Sequence, residues 1–249
     1  AKVAELKSKP IVIGESDPDG CAACQGPQLG YRNTTMYSSY TAASFARKYE
    51  LMDRHGVNLE GALTWAFEFE DQPYFAGQRV LASNGIDLPV LNVFRMFSRM
   101  SGQRVEVKST AEVPLDDIMR AGVRQQPDIT GLATVDGNRA AVMVWHYHDD
   151  DVSGPVAAID VEIERLSIPD GEVRMTHYRI DEKFSNAYTL WKSYGSPTAP
   201  NERQYDAMVK AGKLAELTAP ETVRVASGRA RLRFELPRQG VSLIVLEKQ

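Results

Sequence analysis

Carboxylates follow two short apolar segments near the start of the chain. Glu15 ends the run at 11–14, and Glu68 and Glu70 lie just beyond a second run that contains Trp65. If both runs are parallel strands of an α/β barrel, these side chains lie at the carboxyl ends of strands, where such barrels carry their functional groups. A carboxylate there is costly unless it is solvated, paired or used. An aromatic ring beside carboxylates suits a sugar, although helix caps and salt-bridge partners are the structural alternative.

The segments that would hold these side chains alternate between strand and helix up to residue 100. A continuous apolar run ending in a charged residue predicts a buried strand. The order β-loop-α-β-loop-α is typical of parallel α/β units. Two such units cannot close a sheet, so they predict the last quarter of a larger barrel. The predicted elements are a strand at 9–15, a helix at 40–55 closed by Gly56, a strand at 61–67, and a helix from Pro89 to Gly102.

From residue 101 onward the pattern is all-β. Apolar and charged residues alternate along 230–236, as in a half-buried strand. Asp136-Gly137, Asp170-Gly171 and Ser227-Gly228 separate strands, where hairpin turns need a positive φ. Eight short strands predict a β-sandwich, interrupted by one helix at 201–217 that Asn201 caps. The predicted strands are 104–108, 131–135, 140–148, 156–166, 173–180, 222–226, 230–236 and 241–246.

Segments in both halves resemble glycoside hydrolase family 39, in matching order. In the first half, 11–15 resembles the seventh barrel strand of that family, 63–71 its eighth strand and 90–94 its final barrel helix. In the second half the resemblance is most specific at 177–181, 185–188, Trp191 and 195–197, within the β-sandwich domain. The implied fold class is α/β plus all-β. It consists of the C-terminal part of a (β/α)8 TIM barrel at 1–100, followed by a β-sandwich domain at 101–249.

The resemblance also implies a reaction and its residues. The reaction is hydrolysis of a β-xylosidic bond with retention, by two carboxyl groups about 5–5.5 Å apart. Glu15 is the implied nucleophile and Trp65 the floor of the xylose pocket. Glu70 accepts hydrogen bonds from sugar hydroxyls, with Asp71 as a second candidate. Xylosides and xylo-oligosaccharides are the implied ligands, and neither a metal nor another cofactor is expected.

Two departures from the family pattern shape these expectations. The acid/base Glu of the family follows an Asn in an Asn-Glu-Pro pattern, whereas the only Asn-Glu pair here, Asn201-Glu202, opens a sandwich helix. The first six barrel strands also have no counterpart, so the missing N-terminal barrel half is an expected partner. We therefore expect the chain alone to be inactive and poorly soluble. The eighth-strand segment is one residue shorter than the family pattern, which leaves the choice among Glu68, Glu70 and Asp71 open.

Two other functions remain open. An α-L-iduronidase-like glycosidase would share Glu15 but would need a cation for the uronate carboxylate, and Arg32 is the only Arg or Lys between Glu15 and Tyr40. Alternatively, the all-β half at 101–249 is a non-catalytic carbohydrate-binding or scaffold module. An assay with paired xyloside and iduronide substrates would distinguish the iduronidase-like function from β-xylosidase activity.

Composition excludes several classes of partner. The formal net charge of −4 gives no reason to expect nucleic acid or an anionic membrane, and no apolar run approaches the length of a bilayer span. Cys21 and Cys24 predict a local disulfide or two free thiols rather than a zinc site. His146 and His148 on one strand face lack an evident third ligand. The compartment and a homo-oligomeric state stay open.

Overall fold

A parallel pair of short strands lies at the start of the described residues, which are 9–64 and 66–248 of a computed structural model. Strand β1 (Ile11–Ile13) pairs with β2 (Leu59–Ala62), and Ile13 lies opposite Ala62. Helix α1 (Thr35–His55) connects the two strands. The predicted β-α-β unit is therefore confirmed.

The ends of α1 follow from local chemistry. The Thr34 side chain accepts a hydrogen bond from Met36 N at 3.2 Å, which starts the helix before the predicted Tyr40. Gly56 ends it in the left-handed conformation, with φ 60°, as predicted.

Two predictions about the strands were wrong in part. β1 is shorter than predicted and is not buried: Ile11 is 46% and Val12 is 57% exposed, since among the described residues β1 pairs only with β2. The second strand lies earlier than predicted and ends at Ala62. Beyond it the chain changes partner, because Phe67 O accepts hydrogen bonds from the backbone of 81–82.

The second half contains two antiparallel sheets. The order in the large sheet is β10-β9-β13-β7-β6-β5, with β11 also on β9, while β8 pairs with β12 in the small sheet. All eight predicted strands are present. The bounds are β5 Gln103–Val105, β6 Asp128–Asp136, β7 Arg139–Tyr147, β8 Ala157–Ile163, β9 Gly171–Ile180, β10 Ala215–Glu216, β11 Glu221–Val225, β12 Ala230–Leu236 and β13 Val241–Glu247.

The predicted turns divide into two kinds. Gly137, with φ 56°, makes the hairpin between β6 and β7. Ser227-Gly228 also makes a hairpin turn with positive φ, since Ala226 and Arg229 exchange two backbone hydrogen bonds of 3.0 Å, although β11 and β12 then continue in different sheets. Asp170-Gly171 leads from β8 in the small sheet to β9 in the large one, so the prediction of a hairpin there was wrong. The alternation along 230–236 is confirmed, because the apolar side chains of β12 face inward.

The large sheet is buried on both faces. Met143 and Leu243 pack against α1 and α2, whereas Val142 packs on the small sheet beside Leu236. This explains why β7 is buried along nearly its whole length. The apolar core thus joins the two predicted parts of the chain, and their boundary at residue 100 stays a prediction.

The remaining elements are short. Pro89 starts α2 as predicted, but the helix ends at Phe97, before Gly102. Asn201 caps α5 in a capping box with Gln204, and this helix ends at Gly212 rather than at residue 217. Within the described ranges, no helix combines the length and apolarity needed to cross a bilayer. The bounds are β3 Ala82–Ser83, β4 Ile86–Asp87, α2 Pro89–Phe97, α3 Leu115–Ala121, α4 Ala187–Ser193 and α5 Glu202–Gly212.

Candidate active site at the carboxyl ends of β1 and β2

Glu15 lies at the shared carboxyl edge of the two parallel strands. Beyond the strands themselves, Ser16 N donates to Leu63 O at 2.7 Å, so the chains stay side by side there. Thr64 follows on the neighbouring strand. The Glu15 side chain is 48% exposed, which lets its carboxylate stay solvated while being held from one side.

Arg79 joins Glu15 to a second, buried carboxylate. Its Nη2 donates to Glu15 Oε2 at 2.5 Å, and its Nε lies 3.2 Å from Asp17 Oδ2. The side chains of Arg79 and Asp17 are only 3% and 1% exposed. One buried guanidinium therefore lies between the two carboxylates. Its contact with Glu15 is a charge-assisted hydrogen bond, one of the stronger kinds in proteins, and its contact with Asp17 is an ion pair.

Asp17 is held by neutral donors as well. Tyr37 Oη donates to Asp17 Oδ1 at 2.5 Å and Thr64 Oγ1 donates to it at 2.7 Å. Burial, with the hydrogen bond to Asp17, raises the pKa of Tyr37 well above its usual range, so the phenol remains a donor. These contacts fix Asp17 beside Arg79.

The loop after Glu15 is closed by a disulfide between Cys21 and Cys24, which settles the two alternatives that the sequence left open. Arg32 lies under this loop with its side chain fully buried, and it pairs with the carboxylate of Asp19. Burial alone would raise the pKa of Asp19, but hydrogen bonds from Tyr31 and Arg32 outweigh it and hold the pKa below its usual value.

The predicted sugar-binding residues fall into three groups. Glu68 is used in a turn, where its Oε1 accepts from Gly85 N at 2.8 Å. Glu70 and Asp71 are exposed, and no contact between described residues joins either carboxylate to Glu15. Trp65 lies outside the described residues, so its predicted place below the sugar stays a prediction.

The loop that carries Glu70 nevertheless meets the disulfide loop. Gln72 Oε1 accepts a hydrogen bond from Gln25 Nε2 at 2.7 Å. The loop after β1 and the loop after β2 are therefore in contact with each other.

A cleft of about 540 Å³ lies between the loop after Glu15 and the β-sandwich. Three tyrosines contribute aromatic surface to this cleft. Its charged lining residues are three consecutive aspartates and one arginine, so acidic side chains are in excess. The lining residues are Pro18, Pro27, Gln28, Tyr31, Met36, Tyr40, Arg124, Tyr147, Asp149, Asp150 and Asp151.

His146 and His148 are used inside the β-sandwich. Nδ1 of His146 lies 3.0 Å from Leu236 O, and Nε2 of His148 lies 3.1 Å from Arg124 O. Across 9–64 and 66–248 no group of three His, Cys, Asp or Glu side chains could hold a metal ion.

The comparisons with known proteins identify the family. The family model "Glycosyl hydrolases family 39" matches residues 2–229. The chain belongs to this family. A β-xylosidase of Caldicellulosiruptor saccharolyticus is 23% identical over 142 residues, which are 57% of this chain and 26% of that protein.

Solved structures are similar over nearly the whole chain. A monomeric β-xylosidase from Caulobacter crescentus matches with a TM-score of 0.70 and 17% identity, over 97% of this chain and 46% of its own. A structure described as a bacterial orthologue of human α-L-iduronidase matches with a TM-score of 0.75 and 20% identity, over 98% and 43%. The predicted fold class, the C-terminal part of a TIM barrel followed by a β-sandwich, is confirmed. The chain spans less than half the length of these relatives.

Sequence reasoning missed Asp17, Arg79, Tyr37 and Thr64. Asp17 had a local signal, because two residues after Glu15 on an extended chain its side chain lies on the same side. Arg79 had none, since it is separated from Glu15 by 64 positions in a loop without regular spacing.

Proposed function

We propose that this chain supplies the nucleophile of a retaining glycosidase that releases β-linked xylose, and that Glu15 is this nucleophile. The position of Glu15 carries the proposal. It lies at the carboxyl end of β1, half exposed, with Arg79 on Oε2. Among the described residues no donor contacts Oε1, which leaves that oxygen open towards a substrate.

The reaction would proceed in two steps. Glu15 Oε1 attacks the anomeric carbon while a second carboxyl group protonates the departing glycosidic oxygen, which forms a xylosyl ester. The second group then takes a proton from water, whose oxygen attacks the same carbon and releases Glu15 as a carboxylate. Because this sequence contains no Asn-Glu-Pro segment, we assign that second carboxyl to a barrel segment outside it. The chain by itself is then inactive.

Trp65, Glu70 and Asp71 are the proposed sugar contacts. The carboxylates of Glu70 and Asp71 are exposed and can accept hydrogen bonds from hydroxyls. We place Glu70 first and Asp71 second. Trp65 would stack on the apolar face of the xylose ring.

The charges around the site favour an uncharged sugar over a uronate. Arg32 is fully buried against Asp19, and Arg79 is buried between Glu15 and Asp17. Neither guanidinium is open to a uronate carboxylate. The excess of aspartates in the neighbouring cleft also repels an anion. This supports xylosides over iduronides.

The test is Glu15→Gln in the protein that contains the complete barrel. We expect turnover of an aryl β-xyloside to fall by roughly 10³-fold or more, as for other lost nucleophiles. Glu162→Gln, on an exposed position of β8, is the matched control and retains activity. Turnover that survives Glu15→Gln would refute the assignment, and faster hydrolysis of a paired iduronide would refute the substrate class.

A further inference from the structure

The disulfide loop contacts two buried arginines through its backbone. Arg79 Nη1 donates to Asp19 O at 2.5 Å, and Arg79 N donates to Ala22 O at 3.0 Å. Arg32 donates to Cys21 O at 2.7 Å and to Cys24 O at 3.3 Å. Four carbonyl oxygens of one short loop therefore accept hydrogen bonds from two arginines.

Arg32 also ties this loop to the segment that carries Arg79. Its Nη1 donates to Gly77 O at 3.1 Å, two residues before Arg79. The Cβ that a side chain at Gly77 would add lies 3.1 Å from Leu29 O, so this segment packs tightly on the 3-10 helix Pro27–Asn33 that follows the loop and carries Arg32. The position of Arg79 thus depends on the loop from two directions.

From these contacts we propose that Arg79 is a positioning residue for Glu15, and that the loop closed by the Cys21–Cys24 disulfide holds Arg79 in place. The proposal rests on the proposed role of Glu15 as nucleophile. A planar guanidinium with several donors can bind both carboxylates and a carbonyl together, which an ammonium cannot do with the same geometry. Arg79 therefore fixes which oxygen of Glu15 faces the substrate.

The buried partner, Asp17, gives this arrangement a function in both steps. When Glu15 is esterified it loses its negative charge, and Arg79 would be left as a buried cation with one partner fewer. The carboxylate of Asp17 lies beside Arg79, 3.2 Å from its Nε. This remaining partner avoids the high cost of an unpaired buried charge. When the ester is cleaved, Arg79 is already in position to bind the returning carboxylate.

The disulfide makes this arrangement sensitive to reductants. Both cysteines are exposed, so a dithiol can reach the bond. Dithiothreitol would convert the disulfide to two thiols and be oxidised to its own cyclic disulfide. The loop would then gain conformations in which its carbonyls no longer meet Arg79. A misplacement of about 1 Å at a reacting group can cost on the order of 10²-fold in rate.

The experiment compares kcat per active site in the protein with the complete barrel. Titration with a slow-turnover 2-fluoroxyloside counts competent sites, so misfolded molecules do not contribute. We expect Arg79→Gln to lower kcat by on the order of 10²-fold with little change in KM, and Arg79→Lys to restore part of it. Arg231→Gln, at an exposed position on β12, is the control and retains kcat.

A double-mutant cycle tests whether the disulfide acts through Arg79. We expect C21S/C24S, and wild type treated with dithiothreitol, to lose kcat about 10-fold, and the loss after dithiothreitol to reverse on reoxidation. The same treatment should have no further effect in Arg79→Gln, because coupled residues are not additive. Full additivity, or an unchanged kcat in either Arg79→Gln or the reduced wild type, would overturn the proposal. If the proposal for Arg79 fails in this way while Glu15→Gln is inactive, the assignment of Glu15 as the nucleophile still stands.

Discussion

A buried ion pair fastens α1, the helix that follows the strand of Glu15, to the β-sandwich. Asp128 is fully buried at the start of β6. Its Oδ1 accepts hydrogen bonds from Arg47 Nη2 and Val113 N, both at 2.8 Å, and its Oδ2 accepts from Trp145 Nε1 at 2.9 Å. Every partner of this carboxylate is a donor, so it has to remain an acceptor on both oxygens.

Asp128→Asn keeps the shape of the side chain and removes one acceptor. Whichever way the amide is turned, its NH2 group faces a donor, and Arg47 loses its fully buried counter-charge. Arg47 keeps Glu50 and Glu112 as partners, so we expect a loss at the lower end of the about 3–5 kcal/mol that breaking a buried pair costs. This is still a large part of a typical stability of about 5–15 kcal/mol. The matched control is Asp116→Asn, whose side chain is 73% exposed beside Arg54 and should cost about 0–1 kcal/mol.

The assay is urea unfolding of the variants and the parent, followed by tryptophan fluorescence. The midpoint for Asp128→Asn should fall while the slope of the transition stays the same, since the surface exposed on unfolding is unchanged. If the two substitutions lower the free energy of unfolding by the same amount within about 1 kcal/mol, the buried pair does not stabilise the fold as its burial implies. Our account of how α1 is held would then be wrong.

Two further predictions concern stability. Burial, with the charge of Arg179, lowers the pKa of His177 to about 4, so the unfolded chain binds a proton that the folded chain does not between pH 6.5 and 4. The contribution of His177 to the free energy of unfolding should be intact above pH 6.5 and should fall by about 3 kcal/mol towards pH 4. The measurement is the urea midpoint of the parent and of His177→Gln across this range, and the midpoint of the variant should depend less on pH. Gly131→Ala should prevent folding or strongly destabilise the chain, because the added Cβ would lie 2.3 Å from Met143 O; Gly61→Ala, with open space at that position, should not. Equal thermal midpoints for the two alanine variants would contradict this.

Local patterns predicted the elements well wherever a residue acts on its own neighbours. Gly56 ends α1 and Asn201 caps α5 as expected, because caps act within one turn. The alternation along β12 placed its inward face correctly. The exposure of Ile11 and Val12 could not be read in the same way, since burial of a strand depends on what covers it.

Contacts between distant residues could not be predicted from spacing. β13 lies between β9 and β7, an order that no local turn encodes. The same limit applies to the candidate site. Glu15 could be predicted as a candidate because it ends an apolar run, whereas Arg79 enters from a distant loop. The charged partners of a candidate nucleophile are thus the part of the site that needs the structure.

The most direct test of the central claim is to trap the intermediate. A 2-deoxy-2-fluoroxyloside with a good leaving group should glycosylate the nucleophile faster than water releases the sugar, in the protein that contains the complete barrel. Peptide mass mapping should then place the sugar on the peptide that contains Glu15, and Glu15→Gln should remain unlabelled. A label on another carboxylate, such as Glu70, or an active enzyme that cannot be labelled at all, would contradict the account.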